Sequence, residues 1–129
     1  PDKAYGTKND LKAFVDACHQ NGMAVILDMV LNQADFEFPY VKMHWDGTKP
    51  AANSPFFNPQ ATHPFSVFYD FNHESEATKA LVDTVNRYWI REYKFDGFRF
   101  DLSKGFTQKN TGSDVGAWSA RDDSRIAIW

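Results

Sequence analysis

Polar and apolar residues alternate over residues 94–104, which read Lys-Phe-Asp-Gly-Phe-Arg-Phe-Asp-Leu-Ser-Lys. A period of two predicts a β-strand whose successive side chains point to opposite faces. The apolar face carries Phe98, Phe100 and Leu102. Arg99 and Asp101 share the other face with Gly97, about 6.5 to 7 Å apart along the strand. A buried strand seldom carries two charges without a reason, so the pair is either a structural ion pair or a catalytic carboxylate held by an arginine.

Two other segments show the apolar spacing of amphipathic helices. The first helix is expected over about 8–20, because residues 7–10 match a capping box with Asp in place of Glu. The pair Asn21-Gly22 supplies the left-handed residue that ends such a helix. The second helix is expected from about 77 to 93, directly before the alternating strand.

Residues 23–31 are apolar on both faces and rich in β-branched side chains. Such a run predicts a strand that is covered on both sides in a parallel sheet. Its one charge is Asp28, which shares a face with Val30 and Asn32 and is expected to be buried. A buried carboxylate requires a partner, and we expect Arg99 on the neighbouring strand to supply it.

Between these elements, residues 33–72 have no lasting period but hold most of the prolines and many aromatic residues. So long a connection is typical of an inserted subdomain. Its rings either form a small core of their own, which we favour, or stack on a ligand. The order of elements predicts a βαβ unit with an insertion, whose parallel strands end on one edge of the sheet. A polar loop and then the first turns of a helix, about 120–128, are expected after Lys104.

Composition argues against some classes of binding partner. The 129 residues carry a formal net charge of -3, which gives no electrostatic reason to bind nucleic acid or an anionic membrane. The sequence shows no signal peptide and no apolar run that could span a bilayer. Cys18 is the single cysteine, so it forms no internal disulfide and is interpreted as a small apolar side chain. Two strands and three partial helices leave apolar faces uncovered, so we expect a piece of a longer protein.

Motifs on both predicted strands resemble a known family. Residues 28–32 (Asp-Met-Val-Leu-Asn) and 97–104 (Gly-Phe-Arg-Phe-Asp-Leu-Ser-Lys) are similar to the first and second signature regions of the α-amylase family of glycoside hydrolases. Residues 70–72 (Asp-Phe-Asn) resemble a shorter motif near the end of that family's B domain. The resemblance implies an α/β fold that is part of a TIM (β/α)8 barrel. It assigns 1–32 to a barrel helix and strand 3, 33–72 to an irregular B domain, and 73–129 to helix 3, strand 4 and the following loop.

The resemblance also implies roles for individual residues. Asp101 would be the nucleophile that attacks the anomeric carbon of an α-glucoside, while Arg99 would keep it ionised and oriented. Asp28 would support that pair. Gln33 and Lys104 would contact substrate. The general acid and a further aspartate of this family belong to later strands, so the 129 residues alone are expected to be inactive.

A structural calcium ion is also implied, with Asn32 and Asp70 as its ligands, since amide and carboxylate oxygens suit a hard cation. Two positions depart from the family pattern. Gln33 stands where a histidine normally contacts the reacting sugar, and Gly105 follows Lys104 where a second histidine is common. The chain's own histidines, His19, His44, His63 and His73, have no metal-ligand spacing and are expected to be surface or hydrogen-bonded residues.

We therefore expect part of a retaining glycoside hydrolase that acts on α-1,4-linked glucans such as starch by double displacement. A transglycosylase or branching enzyme of the same family would share these residues. A catalytically silent carbohydrate-binding relative is the rival that Gln33 favours and that Arg99 and Asp101 oppose. The expected partner is an α-glucan, with no nucleic acid or membrane. The family resemblance favours a secreted or periplasmic location.

Overall fold

The computed structural model describes residues 2–129 and divides into two compact units. Unit 1 contains the residues up to 29 together with 83–100, and unit 2 contains 30–82 together with 101–129. The helices are α1 (Lys8–Gln20), α2 (Pro39–Met43), α3 (Glu76–Tyr93), α4 (Val115–Ser119) and α5 (Asp123–Ile126). The strands are β1 (Ile26–Val30), β2 (Gln33–Ala34), β3 (Tyr69–Asp70) and β4 (Gly97–Asp101). The assignment of segments to a barrel and a B domain stays a prediction.

Helix α1 begins and ends as its sequence signals predict. Thr7 Oγ1 accepts a hydrogen bond from Asp10 N at 3.2 Å, and Asp10 Oδ2 accepts one from Thr7 N at 2.7 Å. This reciprocal capping box satisfies backbone donors that a helix start leaves unpaired. Asn21 caps the other end, and Gly22 follows with a φ of 71°, a conformation that glycine adopts without strain.

Strands β1 and β4 are hydrogen-bonded neighbours in a two-stranded sheet. One face of β1 packs in the core of unit 1, where Val25 and Leu27 lie against a cluster of Val15, Tyr93 and Phe95. The opposite face carries Ile26, Asp28 and Val30, all of which are exposed. The prediction that β1 is buried on both sides is therefore wrong for this chain, because helices cover only one face of its sheet.

Strand β4 is shorter than the alternating pattern predicted. Lys94, before it, has a φ of 61°, and Leu102, after it, has a φ of 47°. Both are left-handed conformations in which a residue cannot continue a strand. A 3-10 turn, Ser103–Gly105, follows directly. Leu102 therefore does not share a strand face with Phe98 and Phe100, and Asp101 is the last residue of the strand.

The 33–72 segment of unit 2 builds its own core, as favoured from the sequence. Strands β2 and β3 pair antiparallel, with Gln33 opposite Asp70. Val41, Phe57 and Phe71 are buried beside them, and the rings of Phe57 and Phe71 stack 4.4 Å apart. Partly buried neighbours of this cluster include Phe38, Tyr40, Trp45, Phe56 and Tyr69. Most of the aromatic residues therefore stabilise the segment itself.

The end of the chain contains two short helices. α5 falls inside the helix predicted over 120–128, whereas α4 lies in what was predicted to be a loop. Its start is fixed by Asp114, whose side chain accepts a hydrogen bond from Ala117 N at 2.9 Å. Trp118 then anchors α4, since it is buried and donates from Nε1 to Lys104 O at 3.0 Å. No helix among residues 2–129 is both long and apolar enough to cross a membrane.

Candidate active site and buried polar cluster

The predicted partners Asp28 and Arg99 meet across β1 and β4. Arg99 Nη1 donates to Asp28 Oδ1 at 2.9 Å. The predicted pairing is therefore confirmed. The expected burial is not, because the side chains are 59% and 67% exposed for Arg99 and Asp28. An ion pair so open to water contributes little to stability.

Asp101 occupies the end of the strand that presents Arg99. It is partly buried, and the left-handed turn at Leu102 begins immediately after it. A carboxylate in this position can act as a nucleophile, a base or an ion-pair partner.

Asn32, His63 and Asp70 form a second polar group, inside unit 2. The residues are only 1%, 3% and 4% exposed. His63 Nε2 lies 3.3 Å from Asp70 Oδ1. Neither of these atoms has a hydrogen-bond partner among residues 2–129, and the same holds for Asn32 Oδ1. Buried polar atoms are rarely left unpaired, so this cluster needs an explanation.

Hydrogen bonds from outside the cluster fix two of its members. Asn58 Nδ2 donates to Asp70 Oδ2 at 2.8 Å, which leaves Oδ1 directed at His63. Asn32 Nδ2 donates to Gln33 Oε1 at 2.7 Å, so its Oδ1 remains available. The imidazole of His63 stacks on Trp118, with ring centroids 5.3 Å apart and planes 10° from parallel. Each member of the cluster therefore has one contact that fixes its orientation.

Gly105 lines the cluster and must lack a side chain. A Cβ atom there would stand 1.9 Å from Asn32 Oδ1 and 2.7 Å from His63 Nε2. Both distances are well below any van der Waals contact. The sequence showed Gly105 only as a departure from a histidine that is common in the family, but in the structure its small size is what lets Asn32 and His63 approach each other.

Lys104, predicted to contact substrate, is held by neighbours in unit 2. Its Nζ donates to Ser119 Oγ at 2.5 Å and lies 4.4 Å from the centroid of the Trp118 ring. Gln33, the other predicted substrate contact, has its Oε1 engaged by Asn32. Their roles toward a substrate stay predictions.

Two of the histidines are at the surface or hydrogen-bonded, as expected, and His63 is not. His19 contacts Asp96 at the surface, at 2.9 Å. His73 is buried and donates from Nε2 to Leu31 O at 2.8 Å; burial lowers the pKa of this imidazole. His63 departs from the expectation, because it is buried with neither ring nitrogen hydrogen-bonded. It lies in a loop without periodicity, so no local signal could have indicated its role.

The donor atoms allow a test of the implied calcium ion. Asn32 Oδ1 and Asp70 Oδ1 are buried, unpaired oxygens, as a calcium site requires. The third atom beside them is a ring nitrogen of His63, which is not a usual calcium ligand. Within residues 2–129 no three His, Cys, Asp or Glu side chains group as a metal site. The fit to calcium is thus partial.

Comparisons with known proteins agree with the motifs. The family model described as the alpha-amylase catalytic domain matches residues 2–66. A 1,4-alpha-glucan branching enzyme of Shewanella baltica is 33% identical over 120 residues, which are 92% of this chain and 16% of that enzyme. A maltogenic alpha-amylase of Bacillus acidopullulyticus is 31% identical over 79% of this chain and 20% of its own length. The chain thus spans about a sixth to a fifth of these relatives.

A solved structure shares the fold. The noncanonic maltogenic alpha-amylase AmyB of Thermotoga neapolitana superimposes with a TM-score of 0.58 at 31% identity, over 75% of this chain and 22% of that protein. The match of the family model to half of the sequence, together with these relatives, establishes the identity at the level of the family. This chain belongs to the α-amylase family.

Proposed function

We propose that the complete protein is a retaining glycoside hydrolase that acts on α-1,4-linked glucans. In this proposal β1 and β4 are neighbouring strands of a (β/α)8 barrel, and the 33–72 segment is the inserted B domain. Family membership supports a carbohydrate-active enzyme, and the names of its relatives support an α-glucan as the substrate.

The observation that carries the proposal is the ion pair of Asp28 and Arg99 across β1 and β4, beside Asp101. Arg99 is ordered by Asp28 and is two residues from Asp101 on β4. Residues two apart on a strand face the same side, so the guanidinium and the Asp101 carboxylate share a face.

The chemistry assigned to Asp101 is a double displacement. Its carboxylate oxygen attacks the anomeric carbon, and the bond from that carbon to the glycosidic oxygen breaks as a general acid protonates the leaving oxygen. Water, deprotonated by the same acid/base residue, then displaces the carboxylate and releases the sugar with retained configuration. Arg99 is proposed to orient the Asp101 carboxylate for the attack. The acid/base residue belongs to the rest of the protein.

Gln33 and Lys104 are proposed to hydrogen-bond the sugar. Gln33 donates through a neutral amide, so its stabilisation of the transition state is weaker than that of a charged donor. Lys104 carries a charge but is already held by Ser119. The calcium ion implied by the family remains a proposal that the oxygens of Asn32 and Asp70 support and the nitrogen of His63 does not.

Transfer is the second candidate, because a branching enzyme is among the relatives that match 92% of the chain. A hydrolase and a branching enzyme share the attack by the nucleophile and differ in the acceptor, which is water or a sugar hydroxyl.

The test is to incubate the complete protein with amylose and to follow two products. A rise in reducing ends with retained anomeric configuration by NMR supports hydrolysis. New α-1,6 linkages without a matching rise in reducing ends support transfer. The absence of both, in a folded protein, would contradict the proposal and favour a catalytically silent relative.

A further inference from the structure

Lys104 is held at its backbone and at the end of its side chain by the short helices that follow it. Its carbonyl oxygen accepts hydrogen bonds from Trp118 Nε1 at 3.0 Å and from Arg125 Nη1 at 2.7 Å. Its ammonium group donates to Ser119 Oγ at 2.5 Å and lies 4.4 Å from the centroid of the Trp118 ring. A lysine side chain loses much rotamer freedom when it is fixed, so this restraint needs an explanation.

The ammonium group is not needed to attach the two helices to the turn after β4. The carbonyl oxygen of Lys104 already joins them to that turn. Arg125 Nη2 also donates to Ala120 O at 2.9 Å, which ties the segment between the helices. Thr107 Oγ1 donates to Asp122 Oδ2 at 2.5 Å and connects the start of α5 to the same loop. None of these contacts uses the positive charge of Lys104.

That positive charge is oriented by neutral groups and keeps the capacity to donate. An ammonium group carries several N–H donors, and Ser119 accepts from one of them. The indole face of Trp118 attracts a cation without accepting a conventional hydrogen bond. No carboxylate among residues 2–129 forms an ion pair with Lys104. The ammonium group can therefore donate to a further acceptor while Ser119 and Trp118 hold it.

The position of Lys104 in the chain indicates which acceptor this is. Lys104 closely follows Asp101, the last residue of β4. We propose that Ser119 and the Trp118 ring are positioning residues, which hold the Lys104 ammonium ready to donate to a hydroxyl group of an α-glucan. A donor that is fixed before the ligand arrives loses less entropy on binding. The choice of ligand rests on the proposed function, whereas the roles of Ser119 and Trp118 go beyond it.

The rival interpretation is that the bond between Lys104 and Ser119 only anchors the end of α4. The two interpretations differ in how substitutions combine. A positioning residue acts through Lys104, so its removal should matter only while Lys104 is present. An anchor should change thermal stability and leave the affinity for a glucan unaltered.

The test measures the affinity of the complete protein for maltohexaose by calorimetry, in an Asp101→Asn background that prevents turnover. We expect Lys104→Met to weaken binding by at least about tenfold, because a charged hydrogen bond to the sugar is lost. Ser119→Ala should weaken it by about three- to tenfold. Ser119→Thr keeps the hydroxyl group and should bind within about twofold of the parent. Ser113→Ala, in the exposed loop before α4, is the matched control and should bind like the parent.

The double variant Lys104→Met/Ser119→Ala separates the two interpretations. It should bind within about twofold of Lys104→Met alone, since Ser119 has no ammonium group left to position. Trp118→Leu should behave like Ser119→Ala if it folds, and the Ser119 series decides if it does not. Unchanged affinity in Ser119→Ala, or fully additive losses in the double variant, would overturn the proposal, as would a parent that does not bind maltohexaose. Residual turnover in Asp101→Asn would contradict the nucleophile assignment and not this inference, whose readout is affinity.

Discussion

The sheet face of unit 1 and the buried cluster of unit 2 place charged groups in opposite environments. Asp28 and Arg99 pair in the open, with more than half of each side chain exposed. Asp70 and His63 lie side by side with almost no exposure, and neither satisfies the other by a hydrogen bond. Water screens the Asp28–Arg99 pair, so removal of one partner should change the free energy of unfolding little. In the buried Asp70–His63 pair, removal of one partner leaves an unpaired group in the protein interior, which costs much more free energy. Within the 129 residues, the two pairs therefore differ in how much the loss of one partner should destabilise the fold.

The largest effect is expected at the end of β4. In the complete protein, Asp101→Asn should lower kcat by at least about 1000-fold, because an amide cannot form the covalent intermediate. The melting temperature and the binding of a glucan should change little. Steady-state kinetics and thermal unfolding measure both, and Asp123→Asn, an exposed aspartate paired with Arg121, is the control. A variant that melts much earlier but remains active would make Asp101 a structural residue.

The next largest effect is expected in the buried cluster. Asp70→Ala should destabilise the protein by about 3 to 5 kcal/mol, because it removes the only carboxylate of the cluster and the acceptor for Asn58 Nδ2. Denaturant unfolding provides the measurement. Asp83→Asn, in an exposed ion pair with Arg87, should change the free energy of unfolding by less than about 1 kcal/mol. Equal effects of the two substitutions would contradict the claim that buried charges contribute more to stability than exposed ones.

Asp122 is more buried than the exposed pair and less buried than the cluster, and its contribution to stability depends on pH. Partial burial raises the pKa of its carboxyl, but hydrogen bonds from Ser124, Thr107 and the Arg125 backbone outweigh this and lower it to about 2 from 3.8. A folded-state pKa below the unfolded value stabilises the fold at pH above about 4, and this contribution is lost as the pH falls toward 2.

The substitution Asp122→Asn isolates that charge, because asparagine is also a good N-cap. Thermal unfolding of wild type and variant should differ most near neutral pH, and the difference should shrink as the pH approaches 3. A difference that is independent of pH would show that the charge of Asp122 does not stabilise α5.

The smallest effect on stability is expected at the exposed pair. Asp28→Asn should change the free energy of unfolding of the 129-residue chain by less than about 1 kcal/mol, because both side chains of the pair are mostly exposed there. In the complete protein the same substitution should lower kcat/KM, because Arg99 loses the partner that orients it toward the substrate side of the sheet. A large loss of stability with unchanged kinetics would reverse the interpretation of this face.

Local signals explain why much of the fold could be predicted. Helix α1 matches its predicted range because the Thr7 capping box and Asn21-Gly22 define its ends within a few residues. Helix α4 was missed because Gly116 and polar neighbours hide a start that depends on one hydrogen bond from Asp114. The burial of β1 was wrong because a sequence shows which residues are apolar but not which elements arrive to cover them.

In the candidate site too, local patterns predicted some features, and contacts between distant residues created the others. The pairing of Asp28 with Arg99 followed from strand order and alternation, which are local patterns. His63 could not be predicted, since only the fold of the 33–72 segment brings it beside Asp70 and under Trp118. The requirement for glycine at 105 likewise arises from contacts with residues far away in the sequence.

The central claim is that Asp101 forms a covalent bond with the substrate. A 5-fluoro-α-glucosyl fluoride forms such an intermediate rapidly and releases it slowly, so the complete protein can be trapped with the sugar attached. Proteolysis and mass spectrometry then locate the label. The account predicts one glucosyl group on the carboxylate of Asp101, with no label in Asp101→Asn. A label on another carboxylate, or none from an enzyme that turns over amylose, would contradict it.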